Sequence, residues 1–212
     1  MKSFFPETIP VFPLSGVIYF PKTNLPLNIF EQRYLDLVND CIKKDKLMGM
    51  VQSKKEGNQV YDIGCLGKIS DFKKNEDGRI LVNLTGITRF KIVQEVNNNK
   101  KYREFQVEYE KFKKDIIEEN IEINKINKET EILNDKIKDF FRKNSLLLNW
   151  KEFKKLQYNQ QINTLAMIAP ILNEEKQKLL ETVSVEERIK IFSEIIEFYL
   201  YSSDNSLDDT IQ

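Results

Sequence analysis

No histidine occurs anywhere in the 212 residues. Its absence removes every Ser–His and Cys–His nucleophile pair and the commonest metal ligand. Cysteine is nearly missing as well. Cys41 lies in a helical pattern and Cys65 in an apolar strand-like run, so the two offer no disulfide framework and read as buried thiols in a reducing compartment. Net charge is zero, with 33 Lys plus Arg against 33 Asp plus Glu, which leaves no global field to gather nucleic acid or an anionic membrane. No apolar run approaches the length of a membrane span. The opening "MKSFFPETIPVF" has one Lys, and prolines where a signal peptide would need an apolar helix, so the expected compartment is cytoplasmic.

Turn-making residues are absent from most of the second half. All seven glycines lie at or before Gly86, and five of the six prolines at or before Pro26. What is present is apolar content of 41%, including 14 Phe and 8 Tyr, enough for a sizeable core. In the first half, "VFPLSGVIYFP", "LMGMVQ", "CLGKISDF", "RILVNL", "RFKIVQEV" and "YREFQVEYEKF" read as strands. Phe105, Val107 and Tyr109 alternate with Gln106, Glu108 and Glu110, as on a strand with one buried face. Asp77-Gly78 marks a hairpin turn, because Gly tolerates positive φ. Gly86, inside "LTGITRF", marks a bulge or a sharp bend between consecutive strands. Several short antiparallel strands with one helix, Glu31 to about Lys44, predict a small, partly closed barrel.

From about Ile116 the period becomes helical. Ile126, Leu133, Ile137, Phe140, Phe141 and Leu148 form one stripe. "WKEFKKLQYNQQINTLAMIAPIL" predicts one or two further helices, ended by Pro170. Asn173 is the expected cap of "EEKQKLLE", and Ser184 with Glu187 forms a capping box for a last helix whose stripe includes Ile189, Phe192, Ile195, Ile196, Tyr199 and Leu200. The fold class is therefore α+β. The expected boundaries are 1–115 for the β subdomain, 116–202 for the helical bundle and 203–212 for a flexible acidic tail, the two halves joining around Lys111 to Asn120.

Few motifs carry chemistry. "GCLGKIS" has two residues between its glycines where a phosphate loop needs four before Gly-Lys, and its apolar residues suit a core better than an RNA-clamping loop. "NNNKKYREFQVEYEKFKK" interleaves basic and aromatic residues as a single-strand nucleic-acid surface does, but three glutamates offset the charge. A Ser-Lys dyad drawn from Ser15, Ser70 and Lys68 has no surroundings that single out a nucleophile. The pairs Glu118–Glu119 and Asp208–Asp209 read as solvated charge. No cofactor or metal site is expected.

The stretch "LPLNIFEQRYLDLVND" passes from strand spacing at Leu25, Leu27 and Ile29 to helical spacing at Phe30, Tyr34, Leu37 and Val38. Pro21 and Pro26 keep the preceding backbone extended along the barrel rim. Glu31 suits a helix start, and Arg33 is free to reach neighbouring strands. The junction is first a packing device. It is also the place where Phe20, Leu25 or Phe30 would form an exposed apolar edge, and such an edge on a soluble protein marks a partner.

These pieces resemble a known family, the N-terminal LON domain that forms the substrate-binding portion of Lon proteases, here in its stand-alone bacterial form. "NIFEQRY", "DIGCLGKI" and "LTGITRF" in that order carry the likeness most specifically, with "INTLAMIAPILNEEKQKLLETVSVEERI" in the helical half. Coverage is loosest over 97–150. The resemblance implies a PUA-like β subdomain followed by a helical bundle, and recognition of unfolded or tagged polypeptide with a protease or chaperone as partner. The ATPase and Ser-Lys peptidase regions of full-length Lon are absent from the sequence, so a noncatalytic module is expected. Its contact residues are expected near Phe20, Pro21, Leu25, Pro26 and Phe30, aided by Arg33 and Arg89, although arginines in such places are more often structural than ligand-binding. RNA binding, which PUA-like barrels in other proteins perform, is the alternative.

Overall fold

The computed structural model describes residues 5–54, 58–116 and 123–208, with side chains in the last stretch from 131 to 202. Two compact units result, 1–118 and 119–212. In the first, β1 (Thr8–Leu14), β2 (Asn24–Ile29), α1 (Gln32–Ile42), β3 (Leu47–Gln52), β4 (Ile63–Lys74), β5 (Ile80–Val96) and β6 (Arg103–Glu108) precede a 3-10 turn at Glu110–Asp115. The sheet order is β2-β5-β4-β3-β1-β6, and β5 also pairs with β6. Most pairs are antiparallel as expected. The exception is β1–β3, a parallel pair whose crossover contains β2 and α1.

Alternation explains the two apolar clusters. Met48, Met50, Cys65, Ile69 and Val82 face α1, which buries Tyr34, Leu37, Val38 and Cys41 against them. From the opposite faces of the same strands, Ile9, Val11, Val51 and Leu66 meet Phe90, Phe105 and Val107. Phe90 fits because two neighbouring positions lack a side chain. A Cβ at Gly64 would stand 2.7 Å from the Phe90 ring and 2.5 Å from the Met50 carbonyl oxygen. "GCLGKIS" is thus strand in which Gly64–Gly67 and Ile69 are buried, which removes both the phosphate-loop and the RNA-clamp readings.

"RILVNL" and "RFKIVQEV" prove to be one strand. At Gly86 the ladder shifts register, Leu66 facing Thr88 while Gly67 faces Gly86, so Ile87 is an extra residue and the predicted irregularity is a bulge within β5. The turn at Phe20–Thr23 sits directly on Gly86: Lys22 N–H donates to the Gly86 carbonyl at 2.9 Å, and Gly86 N–H donates to that of Thr23 at 2.9 Å. A Cβ there would lie 2.1 Å from the Phe20 carbonyl oxygen. Asp77-Gly78 closes the β4–β5 hairpin with Gly78 at φ +84°.

The second unit holds α2 (Ile123–Lys143), α3 (Trp150–Phe153), α4 (Tyr158–Ile168), α5 (Asn173–Glu181) and α6 (Val185–Asp208). Leu133, Ile137, Phe140 and Phe141 of α2 are buried, as are Ile189, Phe192 and Ile196 of α6. The Ile126 side chain, Glu118, Glu119 and Asp209 lie outside the described residues. Asn173 is not the cap of α5 but its first residue; Leu172 occupies the cap, and its N–H is taken by Glu175 Oε2 at 2.9 Å. Ser184 Oγ does receive the Glu187 N–H, at 3.1 Å. The backbone of α6 stays helical to Asp208 instead of ending near Ser202, since neither Gly nor Pro follows Pro170 to stop it. Buried Arg188 ties this unit together, donating to the Leu179 and Thr182 carbonyls at the end of α5 and to Asn163 Oδ1 of α4.

Candidate polypeptide-binding face

The β2–α1 junction divides its residues between core and surface. Leu27 and Ile29 point to the α1 side with Ile80, Val82 and Leu84, so Pro26 and Asn28 point the other way. Pro26 is exposed, and its place in the end strand of the sheet order accommodates its missing N–H. Phe30, where strand gives way to helix, leaves 66% of its surface in solvent. Leu81 lies directly across from Asn28 and is 43% exposed. Pro26, Phe30 and Leu81 are thus exposed apolar residues of the β2–β5 edge, where Asn24, Asn28, Asn83 and Thr85 share the outward face of the strands.

Leu25 faces the other side, half-buried against the α1 cluster. Phe20 and Pro21 are buried, because the turn that carries them is held on Gly86. They position β2 and cannot touch a partner in this conformation. Arg33 does not reach across the sheet. It turns back to Glu31 at 2.8 Å and lies 4.5 Å over the Tyr34 ring. Glu31 is spent on that pair and makes no side-chain cap.

Arg89 is a core residue, 2% exposed. Its Nε and Nη2 donate to Asp115 at 2.9 and 2.7 Å, the backbone N–H of the same residue donates to Asp115 at 3.0 Å, and the guanidinium lies 4.3 Å over Phe112. This clamp fastens the 3-10 turn to β5. Leu81 is not among the residues expected from the sequence, yet it carries a signal there: with Ile80, Val82 and Leu84 inward, Leu81 is an apolar residue on the outward face.

The alternative chemistries find little support in this geometry. Ser70 Oγ donates to the Asn83 carbonyl at 3.0 Å and receives Thr85 Oγ1 and Asn83 Nδ2, so its proton faces a carbonyl rather than a base. In the β5–β6 hairpin, Lys100 pairs with Glu104, Arg103 with Glu95 and Lys91 with Glu108, while Tyr102 and Phe105 are buried. That leaves no basic, aromatic platform of the kind single-stranded RNA uses. Among the described residues no group of three or more Cys, Asp or Glu side chains is placed to hold a metal ion, and no helix is long and apolar enough to cross a membrane.

The fold resembles that of solved Lon N-terminal domains. A Lon N-terminal domain protein from Xanthomonas campestris matches 86% of this chain and 95% of its own at a TM-score of 0.61 and 21% identity. The N-terminal domain of a Mycobacterium avium complex Lon protease matches 90% and 98% at 0.64 and 16%. These likenesses define the class by fold. The family follows from the sequence: the model for the ATP-dependent protease La (LON) substrate-binding domain matches residues 8–197, and the chain belongs to that family. Lon protease of Syntrophus aciditrophicus is 28% identical over 208 residues, and Lon protease 2 of Myxococcus xanthus 25% over 209. The chain spans about a quarter of the length of these relatives.

Proposed function

We propose that the chain is a noncatalytic polypeptide-binding module that takes extended, apolar segments of unfolded or tagged proteins and works beside a protease or chaperone in the cytoplasm. The observation that carries this reading is the exposure of Pro26, Phe30 and Leu81, apolar side chains left in water on a face that belongs to no core. Apolar side chains are what an unfolded chain offers and a folded surface withholds. Membership of a substrate-binding family supports the same role. Residues 1–118 serve in this reading as a PUA-like barrel, supported by the return of β5 onto β6, and residues 119–212 as a helical subdomain.

The test is anisotropy of a labelled, permanently unfolded protein titrated with the chain at low and high salt, using wild type and a Phe30→Ser/Leu81→Ser variant. Both positions are substantially exposed, so the variant retains its circular dichroism. Its affinity falls about tenfold or more, from the loss of two apolar contacts. Wild-type affinity changes little with salt. Equal binding by the variant refutes the reading. Affinity that collapses with salt and is matched by single-stranded RNA transfers the function to nucleic acid.

A further inference from the structure

β2 stands at one end of the sheet order, and its register against β5 fixes which of its backbone groups remain open. One step beyond the Asn24–Thr85 pair, Gly86 N–H donates to the Thr23 carbonyl at 2.9 Å, so Thr23 and Gly86 face each other as a bonded pair. Bonded pairs recur at every second residue of an antiparallel ladder, which assigns the following bonds to Leu25–Leu84, Leu27–Val82 and Ile29–Ile80. Asn24, Pro26 and Asn28 therefore turn their backbone groups away from β5. The Asn83 carbonyl, across from Pro26, agrees with this phase: it faces β4, where it accepts from Ser70 Oγ at 3.0 Å. Among the described residues no strand pairs with the other side of β2, and Asn24, Pro26 and Asn28 are all exposed. Five groups stand open along that edge, the N–H and C=O of Asn24 and Asn28 and the C=O of Pro26.

Donors and acceptors at the two-residue repeat of a strand are matched by another extended backbone. That backbone could belong to a second copy or to a different chain, and Pro26 decides between them. Two β2 strands paired antiparallel about a two-fold axis would, at full overlap, set Pro26 against Pro26, each carbonyl facing a ring that has no N–H. A segment with an N–H at that place satisfies all five groups. We infer that the outer edge of β2 takes up one extended segment of a bound polypeptide as an added strand, held by backbone hydrogen bonds to Asn24, Pro26 and Asn28, a mode of capture that rests on the chain being a polypeptide binder. Contacts of this kind read no particular sequence. The side chain across from Pro26 falls on the outward face that Pro26 and Leu81 share, which favours an apolar residue there.

The experiment follows, by anisotropy, a labelled and capped peptide of alternating threonine and valine with lysine at each end, titrated with the full chain in three forms of identical side chains. The unmethylated form and a form N-methylated on every valine bind alike, because the valine amides share one edge of the extended peptide and the other edge stays free. A form N-methylated on two adjacent central residues has both edges blocked and binds about tenfold or more weakly, the size of two lost hydrogen bonds. Asn28→Pro removes one outward N–H without touching the ladder to β5, so it keeps its circular dichroism and weakens the unmethylated peptide about fivefold beyond Asn28→Ala. Equal binding of the three forms by the wild-type chain overturns the inference, and so does a dimer in sedimentation that Asn28→Pro dissolves, which would give the edge to a second copy. Unfolded protein captured while the three forms bind alike, or while none binds, sinks the edge and leaves the polypeptide-binding reading standing; no capture of unfolded protein or peptide removes both.

Discussion

Replacing Gly86 by alanine tests how the proposed binding face is held. The new Cβ would meet the Phe20 carbonyl oxygen at 2.1 Å, its carbonyl carbon at 3.0 Å and Pro21 Cα at 3.1 Å. All three are backbone atoms, so no rotamer change relieves the contact. A carbon and a carbonyl oxygen need about 3.3 Å, and the turn must retreat by about 1 Å. That retreat breaks the two hydrogen bonds between the turn and Gly86, worth about 1 kcal/mol each. Overpacking adds about 1–3 kcal/mol. The total, about 3–5 kcal/mol, is a large part of the about 5–15 kcal/mol that holds a domain folded. Urea unfolding followed by circular dichroism should show the midpoint lowered by about 2 M at an unchanged slope of about 2 kcal/mol/M. Gly78→Ala is the control. Gly78 has φ +84° but nothing within 4 Å of its would-be Cβ, so only a backbone cost of about 1 kcal/mol applies. If Gly86→Ala moves the midpoint no further than Gly78→Ala does, the turn is not locked on β5 and its role in presenting Phe30 falls with it.

Three further outcomes follow from buried groups. Arg89→Met strands the Asp115 carboxylate in a site only 11% exposed and should cost about 3–5 kcal/mol, while adding Asp115→Leu recovers part of the loss; additive costs in the double-mutant cycle would disprove the clamp. Arg188→Met leaves two carbonyls and Asn163 without their donor and should lower stability by about 3 kcal/mol, with Arg188→Lys restoring only a fraction because an ammonium lacks the three-way fork; full rescue by lysine would refute the geometric account. Burial pushes the Cys41 thiol up to about 12, and burial with the Asp40 hydrogen bond pushes the Tyr102 phenol up to about 12. Both stay protonated in the fold past the pH at which the unfolded chain releases those protons, near 9 and 10, so their stabilising contribution is whole below pH 9 and is lost as pH rises toward 12. The melting temperature should fall across that range and Cys41→Ala should lessen the slope; a flat profile would contradict it.

Where the sequence was legible, local chemistry was enough. Asp77-Gly78, the alternation at Phe105 and Val107, the stripe from Leu133 to Phe141 and the stop at Pro170 each depend on residues within one turn or one strand, so period and backbone preference reveal them. The irregularity at Gly86 was visible too, but not its form. A glycine announces that a Cβ is unwelcome, whereas only the folded chain shows the Phe20 carbonyl occupying that space. The candidate face was half legible as surface: Pro26 and Phe30 are exposed, while Phe20, Pro21 and Arg89, equally suggestive on paper, are interior.

By itself the sequence determined the α+β class, the change from strand to helix in mid-chain, the absence of histidine chemistry and the family. All of these follow from composition, period and ordered motifs, which need no knowledge of what touches what. Tertiary structure alone decided that β1 pairs in parallel with β3, that Arg89 serves Asp115, that Leu81 lies across from Asn28 and that Arg188 serves Asn163. Those pairings join residues distant along the chain, and their partners are selected by burial and shape complementarity, quantities that exist only once the strands and helices have packed.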